Sequence, residues 1–506
     1  MEPSEIVRPA AAVAGPAPSL KPGAIGFVDA LVIGLAATSP AYSLAAILGP
    51  VVALVGIYAP GTLLASFVPM LLIASAFYYL NKVDQDCGTT FSWVTRAMGP
   101  TFGWIGGWAI TLTGVLVIGS LAEVGVRFGL LTFGLDDLAD NQPLVMAGAV
   151  ALIVLMTWLC VLGTEASARL QNVLIFAQVG ALLVFAVVAL VVVANGDAAA
   201  GAPTLSVAWL NPFGAGGAAL TGGLLLGVFA YWGWESAVNL SEETADPESA
   251  PGKAAVLSTF ILLLTYVGVA IALVAVAGTD FLTDNAGEEE AIFGLLATQV
   301  LGGWDWVVLL AVTTSAIAST QTTIIPASRT ALSMARRGAV PPIFGRIHPR
   351  FRTPDVATWA VAAVAIVWYL VLSILSENAL FDSLTALSLL IAFYYALTGI
   401  ACALYYRRHL LESAKNLFLI GVGPVVGSVL LLWLLVESVV DMADPANSYT
   451  GQAWFGVGPP LVIGIVIVVV GLVLLGISRV KGSVFWEERA GVADPGLVPG
   501  RTREQR

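Results

Sequence analysis

Residues 229–243 read FAYWGWESAVNLSEE, and this polar stretch lies at the end of an apolar run that starts near residue 218. Gly233 favours a break in the helix there, because glycine destabilises helix interiors. Glu235 places a carboxylate in a segment long enough to cross a bilayer. Ionisable groups at that depth are costly and mark functional sites. The stretch therefore predicts a broken membrane helix with an acidic residue at the break.

A second break is predicted in the apolar run 25–54, where residues 34–40 read GLAATSP. Pro40 has no amide hydrogen and disfavours a helical conformation at Ser39, so the helix should end there. The breaks near Ser39 and Glu235 each open a block of five predicted spans. Paired broken helices in two halves of a chain indicate a transporter built from inverted repeats.

The composition excludes a soluble protein. Of the 506 residues, 58% are hydrophobic and 11% are charged, and the mean hydropathy is +0.90. Soluble chains have roughly 45–50% apolar and about 25% charged residues. The continuous apolar runs predict an all-α integral membrane protein with twelve spans, at roughly 25–54, 60–80, 102–131, 143–163, 168–194, 218–242, 254–278, 304–335, 356–376, 380–406, 416–440 and 456–478.

The predicted domain organisation follows these spans. We expect a disordered cytoplasmic tail at 1–23, a first inverted repeat at 24–200 and a second at 201–410. Two further spans occupy 411–480, and a cytoplasmic tail follows at 481–506.

The basic residues predict the orientation. The net charge is −11, which argues against a nucleic-acid partner. Of the 22 lysines and arginines, all except Arg127 precede span one, follow span twelve or lie in or beside the loops after even-numbered spans. The positive-inside rule then predicts a plasma-membrane protein with both termini in the cytoplasm. The outer loops are acidic, with Asp136, Asp137, Asp140, Asp280, Asp284, Glu288, Glu289, Glu290, Asp441 and Asp444.

Cysteine and tryptophan positions predict packing rather than chemistry. The three cysteines are far apart in the sequence, so we expect buried apolar side chains and no metal site: Cys87, Cys160 and Cys402. We expect three tryptophans to anchor the protein at the membrane interface: Trp93, Trp304 and Trp306.

Three motifs together resemble the amino acid–polyamine–organocation superfamily, over roughly residues 24–410. The first is residues 229–243 with the prolines that follow at 247 and 251. The second is Ser328-Arg329 with 334–338, MARRG, and the third is 169–172, RLQN. The resemblance implies a LeuT-type fold with a five-plus-five inverted repeat, two broken helices and two peripheral helices. It also implies a secondary transporter of an amino acid or small organic amine, with no enzymatic activity and no cofactor.

The first break departs from the usual pattern of this superfamily. Amino-acid carriers commonly have a Gly-Ser-Gly-like break whose free amides receive the substrate carboxylate. GLAATSP is more similar to the break of putrescine and amine importers, which favours an amine without a carboxylate. The resemblance implies a substrate site formed by Ala37, Thr38, Ser39, Ala41, Phe229, Trp232, Gly233, Trp234 and Glu235. Phe229 matches the gating aromatic, and the tryptophans suit cation–π contact with an amine.

Three carboxylates are candidates for cation binding or proton coupling, each with a structural alternative. Glu235 either binds an ammonium group or a proton, or only caps free amides of the break. Asp29 either couples protons or stabilises the start of the first helix. Glu123 either lines the outer vestibule or forms an i,i+4 ion pair with Arg127.

Gln178 matches a position where proton-coupled members of the superfamily carry a lysine in place of a sodium ion. A neutral glutamine cannot take that role by charge. Coupling then runs through carboxylates, or sodium binds with Ser315 and Ser319, or the protein exchanges substrates. Hydroxyls also bond helical carbonyls routinely, so the serines have a structural alternative.

The sequence thus predicts a proton-coupled importer of an amino acid or a small amine or polyamine. A substrate/product antiporter of the same fold stays open as an alternative, as does a potassium carrier or channel. The substrate, the coupling ion, the direction of transport and the oligomeric state are left open.

Overall fold

A computed structural model describes residues 19–286, 292–375 and 377–492 of the chain. In these ranges the regular structure is helical, apart from two isolated β-bridges, Ile25–Thr244 and Trp454–Val457. The predicted all-α class is confirmed. The acidic residues predicted at 288–290, most of the tail at 1–23 and the end of the tail at 481–506 lie outside the described residues.

The helices follow one another along the chain and are joined by connecting segments. Up to residue 200 they are α1 (Phe27–Thr38), α2 (Pro40–Val55), α3 (Ala59–Val83), α4 (Thr90–Met98), α5 (Pro100–Thr132), α6 (Asp136–Ala139), α7 (Gln142–Leu162) and α8 (Thr164–Ala194). After residue 200 they are α9 (Gly217–Ala230), a 3-10 helix (Trp234–Glu243), α10 (Ala250–Asp284), α11 (Ile292–Leu301), α12 (Trp306–Arg336), α13 (Asp355–Leu375), α14 (Glu377–Tyr405), α15 (Ala414–Asn416), α16 (Gly423–Ala443) and α17 (Pro459–Val480).

Eleven helical stretches within the described ranges are long and apolar enough to cross a membrane. The first, Phe27–Val83, has 57 residues and contains both of the first two predicted spans. The integral membrane class is confirmed, whereas the count of twelve crossings stays a prediction.

The first break falls at Ser39, as predicted. Ser39 has φ 50° and ψ 61°, in the left-handed region, and Pro40 opens α2. Hydroxyl groups and an amide take the carbonyls freed at the end of α1. Thr38 Oγ1 donates to Leu35 O at 2.7 Å, and Ser39 N donates to Ala36 O at 3.1 Å. Ser43 Oγ donates to Thr38 O at 2.7 Å.

The second break lies at Tyr231–Gly233, between the end of α9 and the 3-10 helix. Gly233 has φ 118° and ψ −18°, a conformation that side-chain-bearing residues rarely adopt. Glu235 is therefore the second residue of the helix after the break and not part of the break itself. The ten residues Trp234–Glu243 form a 3-10 helix rather than an α-helix.

The broken helices lie inside the bundle. α1 packs against the 3-10 helix, α8, α10 and α12, and α5 packs along α12 and α14. We call the end of the bundle at which α3, α12 and α17 finish the basic end, and the end at which α5 finishes the acidic end.

One tryptophan prediction is wrong. Trp93 is buried, with its ring 5.2 Å from that of Phe77, and its indole nitrogen donates to Asp84 O at 2.9 Å. It lies on α4, an amphipathic helix that the sequence analysis did not predict and whose apolar face carries Trp93 into the core. Trp304 and Trp306 are exposed. All three cysteines are free and buried, as predicted.

Candidate functional site

The two broken helices touch at their breaks. A Cβ atom on Gly233 would lie 2.6 Å from Ala37 O, and one on Gly34 would lie 3.1 Å from Trp234 O. Only residues without a side chain allow the backbones to approach this closely. The glycines therefore fix the position at which the first and sixth predicted spans cross.

Glu235 lies beside this crossing and is buried, with 3% of its surface exposed. Its two carboxylate oxygens accept hydrogen bonds from the hydroxyls of Tyr394 and Tyr395 on α14. None of the described basic residues forms an ion pair with it. A buried carboxylate without a cation is unfavourable unless it is protonated or receives a cationic ligand.

Aromatic side chains hold the tyrosine pair. Trp232 Nε1 donates to Tyr394 Oη at 2.5 Å, and the amide of Gly233 donates to Tyr395 Oη at 3.4 Å. The Trp234 ring stacks on Tyr395 with centroids 5.3 Å apart. The backbone and side chains of the second break thus position both hydroxyls that contact Glu235.

A small cavity adjoins Glu235. Its volume is about 10 Å³, which is close to the ~10–15 Å³ that one water molecule requires. Four of the residues expected at a substrate site line it, namely Ala37, Trp232, Gly233 and Glu235. The other lining residues are Ile110, Gly114, Ser236, Thr323, Pro326 and Tyr394.

Five expected residues do not line this cavity: Thr38, Ser39, Ala41, Phe229 and Trp234. Phe229 is partly buried near the end of α9, and Trp234 is fully buried. The lining residues on α5 and α12 were not predicted from the sequence. A proline inside the apolar span eight, Pro326, was the available signal for α12.

The candidate sodium-site serines contact the first break. Ser315 Oγ lies 3.0 Å from Ser39 Oγ, and Ser319 Oγ donates to Ala37 O at 3.1 Å. These oxygens are of the type that sodium binds, but each hydroxyl has a protein partner. A cation at this position would have to displace the bond between Ser319 and Ala37.

Asp29 and Glu123 both form the contacts expected of a structural role rather than of cation binding. Asp29 Oδ2 accepts from the amide of Gly26 at 3.0 Å, as a carboxylate at a helix start does, and Oδ1 accepts from Asn172 at 3.0 Å. Glu123 forms the i,i+4 ion pair with Arg127 at 3.2 Å. Neither residue lines the cavity beside Glu235.

Gln178 is fully buried on α8. Neither its amide oxygen nor its amide nitrogen has a hydrogen-bond partner among the described residues. Buried amides without partners are costly. No contact in the described part of the chain explains why a glutamine, rather than an apolar residue, occupies this position.

The sixth-span motif and the motif after span eight pair with each other at the basic end. Arg329 contacts both carboxylate oxygens of Glu243, at 3.1 and 3.2 Å, and each residue is 1% exposed. Thr164 at the start of α8 also donates to Glu243. Arg336 donates to both oxygens of Glu242 at 2.9 Å.

The pKa values of two loop carboxylates beside this network are shifted in opposite directions. Burial raises the pKa of Asp84 to about 6, although Arg96 lies 2.9 Å away. Burial also acts on Asp86, but the Ser333 hydroxyl and the charge of Arg337 hold the pKa of Asp86 below its ordinary value.

Comparison with known proteins shows what the chain is similar to. The model of the amino acid permease family matches residues 25–474. An uncharacterized transporter of Mycobacterium bovis is 28% identical over 86% of this chain and 90% of the relative. The low-affinity putrescine importer PlaP of Escherichia coli is 24% identical over 85% of this chain and 91% of the relative. The branched-chain amino acid permease BcaP of Lactococcus lactis is 25% identical over 79% of this chain and 84% of the relative.

These relatives are transporters and permeases, not enzymes, and the family match covers most of the 506 residues. The chain is a multi-pass membrane transporter that belongs to the amino acid permease family.

Proposed function

We propose that the protein imports a small organic amine or an amino acid and that the ammonium group of the substrate binds at Glu235. The observation that carries the proposal is the buried carboxylate of Glu235, which has two tyrosine hydroxyls as partners and no described basic residue. An ammonium ion supplies the missing charge and donates to the same oxygens. The adjacent Trp232 adds an aromatic face to the cation.

The first break favours an amine over a carboxylate-bearing substrate. The break has no glycine between Leu35 and Pro40, so the backbone there is less accessible to a carboxylate. The similarity to a putrescine importer supports an amine as the substrate. Because the chain is also similar to a branched-chain amino acid permease, we include amino acids among the proposed substrates.

We propose protons as the coupling ion. Glu235 takes up a proton on the outer side and releases it to the cytoplasm, so proton and substrate move inward together and the buried carboxyl is neutral during the crossing. Sodium is less favoured because the hydroxyls of Ser315 and Ser319, its candidate ligands, already form hydrogen bonds with the first break. Asp29 and Glu123 are occupied by helix-start and ion-pair contacts, so Glu235 is the carboxylate that we assign to coupling.

We further propose alternating access in the LeuT-type inverted repeat, with repeats at 24–200 and 201–410. The cavity of about 10 Å³ is too small for any amine beyond a water-sized group, so the described conformation is occluded in this mechanism. The two breaks must move apart from α5 and α12 for substrate to enter. The basic end faces the cytoplasm of the plasma membrane, as the positive-inside rule predicts.

Uptake into proteoliposomes tests the role of Glu235. Purified wild-type protein and the Glu235→Gln variant are assayed with radiolabelled putrescine and leucine, with and without an inward proton gradient. We expect wild-type uptake to rise with the gradient. We expect the variant to lose uptake or to lose its response to the gradient, because glutamine cannot gain or release a proton.

Glu437→Gln is the matched control, since Glu437 lies on the spanning helix α16 and, among the described residues, accepts a hydrogen bond from Trp433 on the same helix. Full gradient-driven uptake by Glu235→Gln overturns the proposal. Efflux from preloaded vesicles only when substrate is present outside identifies an antiporter. Uptake that follows a sodium gradient identifies sodium coupling.

A further inference from the structure

A large apolar groove lies at the basic end, away from Glu235. It has a volume of about 700 Å³, within the ~300–1,000 Å³ range of ligand pockets. α5, α12, α13 and α17 form its walls, together with the loop that follows α12. Val364, Leu474 and Ile477 on its walls are 54%, 40% and 48% exposed, so the groove opens to the surroundings of the bundle.

The polar side chains that line the groove divide into two groups. Trp104 Nε1 and Ser478 Oγ both donate to Ala339 O, at 3.1 and 2.7 Å. Trp108 and Thr111 donate to backbone carbonyls at 3.2 and 2.9 Å. The polar side chains of this first group therefore have partners within the protein.

Lys481 and Ser483 form the second group. Lys481 is exposed and makes no ion pair with the described residues. The Ser483 hydroxyl is buried and has no hydrogen-bond partner in the same part of the chain. An exposed cation and a buried hydroxyl thus both line the groove, and neither has a partner among the described residues.

The position of this pair matches the boundary of a bilayer. Lys481 follows directly after α17, which is long and apolar enough to cross a membrane. A lysine at the end of such a helix lies at the level of the lipid headgroups. The apolar walls extend from it along α13 and α17, in the direction of the acyl chains.

We propose that this groove binds an anionic phospholipid. One acyl chain lies along the apolar walls, and the headgroup phosphate accepts hydrogen bonds from Lys481 and Ser483. Charge complementarity selects this occupant, because basic pockets between membrane helices bind anionic headgroups. The segment 493–506 carries Arg501, Arg503 and Arg506, so its charge does not complement that of Lys481.

Native mass spectrometry of delipidated protein tests the site. The protein is offered equal amounts of phosphatidylglycerol and phosphatidylcholine with identical acyl chains. We expect the wild type to bind one phosphatidylglycerol with about fivefold preference, the difference that one lysine at a membrane surface supplies. We also expect phosphatidylglycerol to raise the melting temperature more than phosphatidylcholine does.

Two variants separate the headgroup from the acyl chain. Lys481→Glu should remove the preference for phosphatidylglycerol but retain weak binding of both lipids. Ala360→Phe should lower the binding of both lipids, because residue 360 lines the groove and is only partly buried. Lys415→Glu, which changes an exposed lysine outside the groove, is the matched control and should bind as the wild type does.

Equal binding of the two lipids by the wild type overturns the proposal, as does an unchanged preference in Lys481→Glu. Lipid binding that begins only after deletion of residues 493–506 identifies that segment as the occupant and also overturns it. A dimer that Ala360→Phe dissociates identifies a second copy of the chain instead, with the same conclusion.

Discussion

At the scale of single residues, the site consists of a carboxylate and the hydroxyls that hold it. The sequence motif at 229–243 singles out Glu235 as the candidate carboxylate. Tyr394 and Tyr395 lie in predicted span ten, and the sequence does not show them as partners of Glu235, because 159 and 160 residues separate them from it. Only the packing of α14 against the second break brings them together. Local chemistry predicts the charge, and the fold supplies its partners.

We expect Tyr394→Phe and Tyr395→Phe each to lower the uptake of an ammonium substrate by about tenfold. Each variant removes one of the two hydrogen bonds that orient the Glu235 carboxylate. A hydrogen bond to a charged group is worth ~1.5–3 kcal/mol. Initial rates in proteoliposomes measure the effect. Tyr406→Phe is the control, because the buried Tyr406 hydroxyl bonds to Tyr79 O at 2.8 Å, away from Glu235. Equal rates in all three variants contradict the role of the tyrosine pair.

The second residue-scale prediction concerns pH. The pKa of Asp84 is raised from 3.8 to about 6, so the folded protein binds this proton more tightly than the unfolded chain does. The contribution to stability is therefore fully present below about pH 4 and is lost as pH rises through about 6. Asp84→Asn should melt higher relative to wild type at pH 7.5 than at pH 4.

Thermal unfolding of detergent-solubilised protein across that pH range measures this difference. Asp136→Asn serves as the control, since Asp136 is exposed at the acidic end and its replacement should leave the pH profile unchanged. If the melting temperatures of Asp84→Asn and wild type differ by the same amount at every pH, the raised pKa of Asp84 does not contribute to stability in this way.

At the scale of elements, the two breaks show what sequence does and does not determine. The break at Ser39 was predicted to the residue because proline acts on its immediate neighbour. The second break was predicted near Glu235, yet the helix ends at Ala230 and resumes at Trp234 as a 3-10 helix. Glycine permits a break but does not determine at which residue the helix ends. The packing of α1 against Gly233 determines where the helix ends and resumes.

Gly233→Ala should destabilise the protein by about 1–3 kcal/mol, the cost of a residue held in a sparsely populated backbone conformation, and should abolish uptake. Its Cβ would lie 2.6 Å from Ala37 O, which forces the two breaks apart. Melting temperature and uptake are measured on the same preparation. Gly180→Ala is the control, because a Cβ there meets nothing within 4 Å and alanine favours a helix. Wild-type behaviour of Gly233→Ala would rule out the close crossing.

At the scale of the whole molecule, buried charges tie the ends of distant segments together. The pair between Arg329 and Glu243 joins α12 to the 3-10 helix, and Thr164 adds the start of α8. Both motifs were recognised in the sequence as separate matches, but nothing in the sequence showed that they contact each other. Under alternating access, an opening of the basic end requires this contact to loosen.

Glu243→Gln should lower stability by about 3–5 kcal/mol, because it leaves the buried Arg329 charge without its partner. The double variant Glu243→Leu with Arg329→Leu should be less destabilised, since it removes both charges. Thermal unfolding in detergent compares the two. Greater loss in the double variant than in the single one contradicts this account of the pair.

Orientation is the second prediction at this scale. The three native cysteines are buried, so single cysteines introduced at the surface can be labelled selectively. A membrane-impermeant maleimide should label Phe133→Cys in intact cells and Leu411→Cys only after lysis. Phe133 is 79% exposed at the acidic end, and Leu411 is 87% exposed at the basic end. The reverse pattern would invert the proposed topology.

The size of the cavity beside Glu235 has an electrical consequence. A space of about 10 Å³ holds one water at most, so the cavity beside Glu235 cannot hold a chain of waters along which protons could move. We therefore expect this part of the described structure to block proton flow past Glu235. A cell can therefore keep many copies in its membrane between turnovers without dissipating the membrane potential.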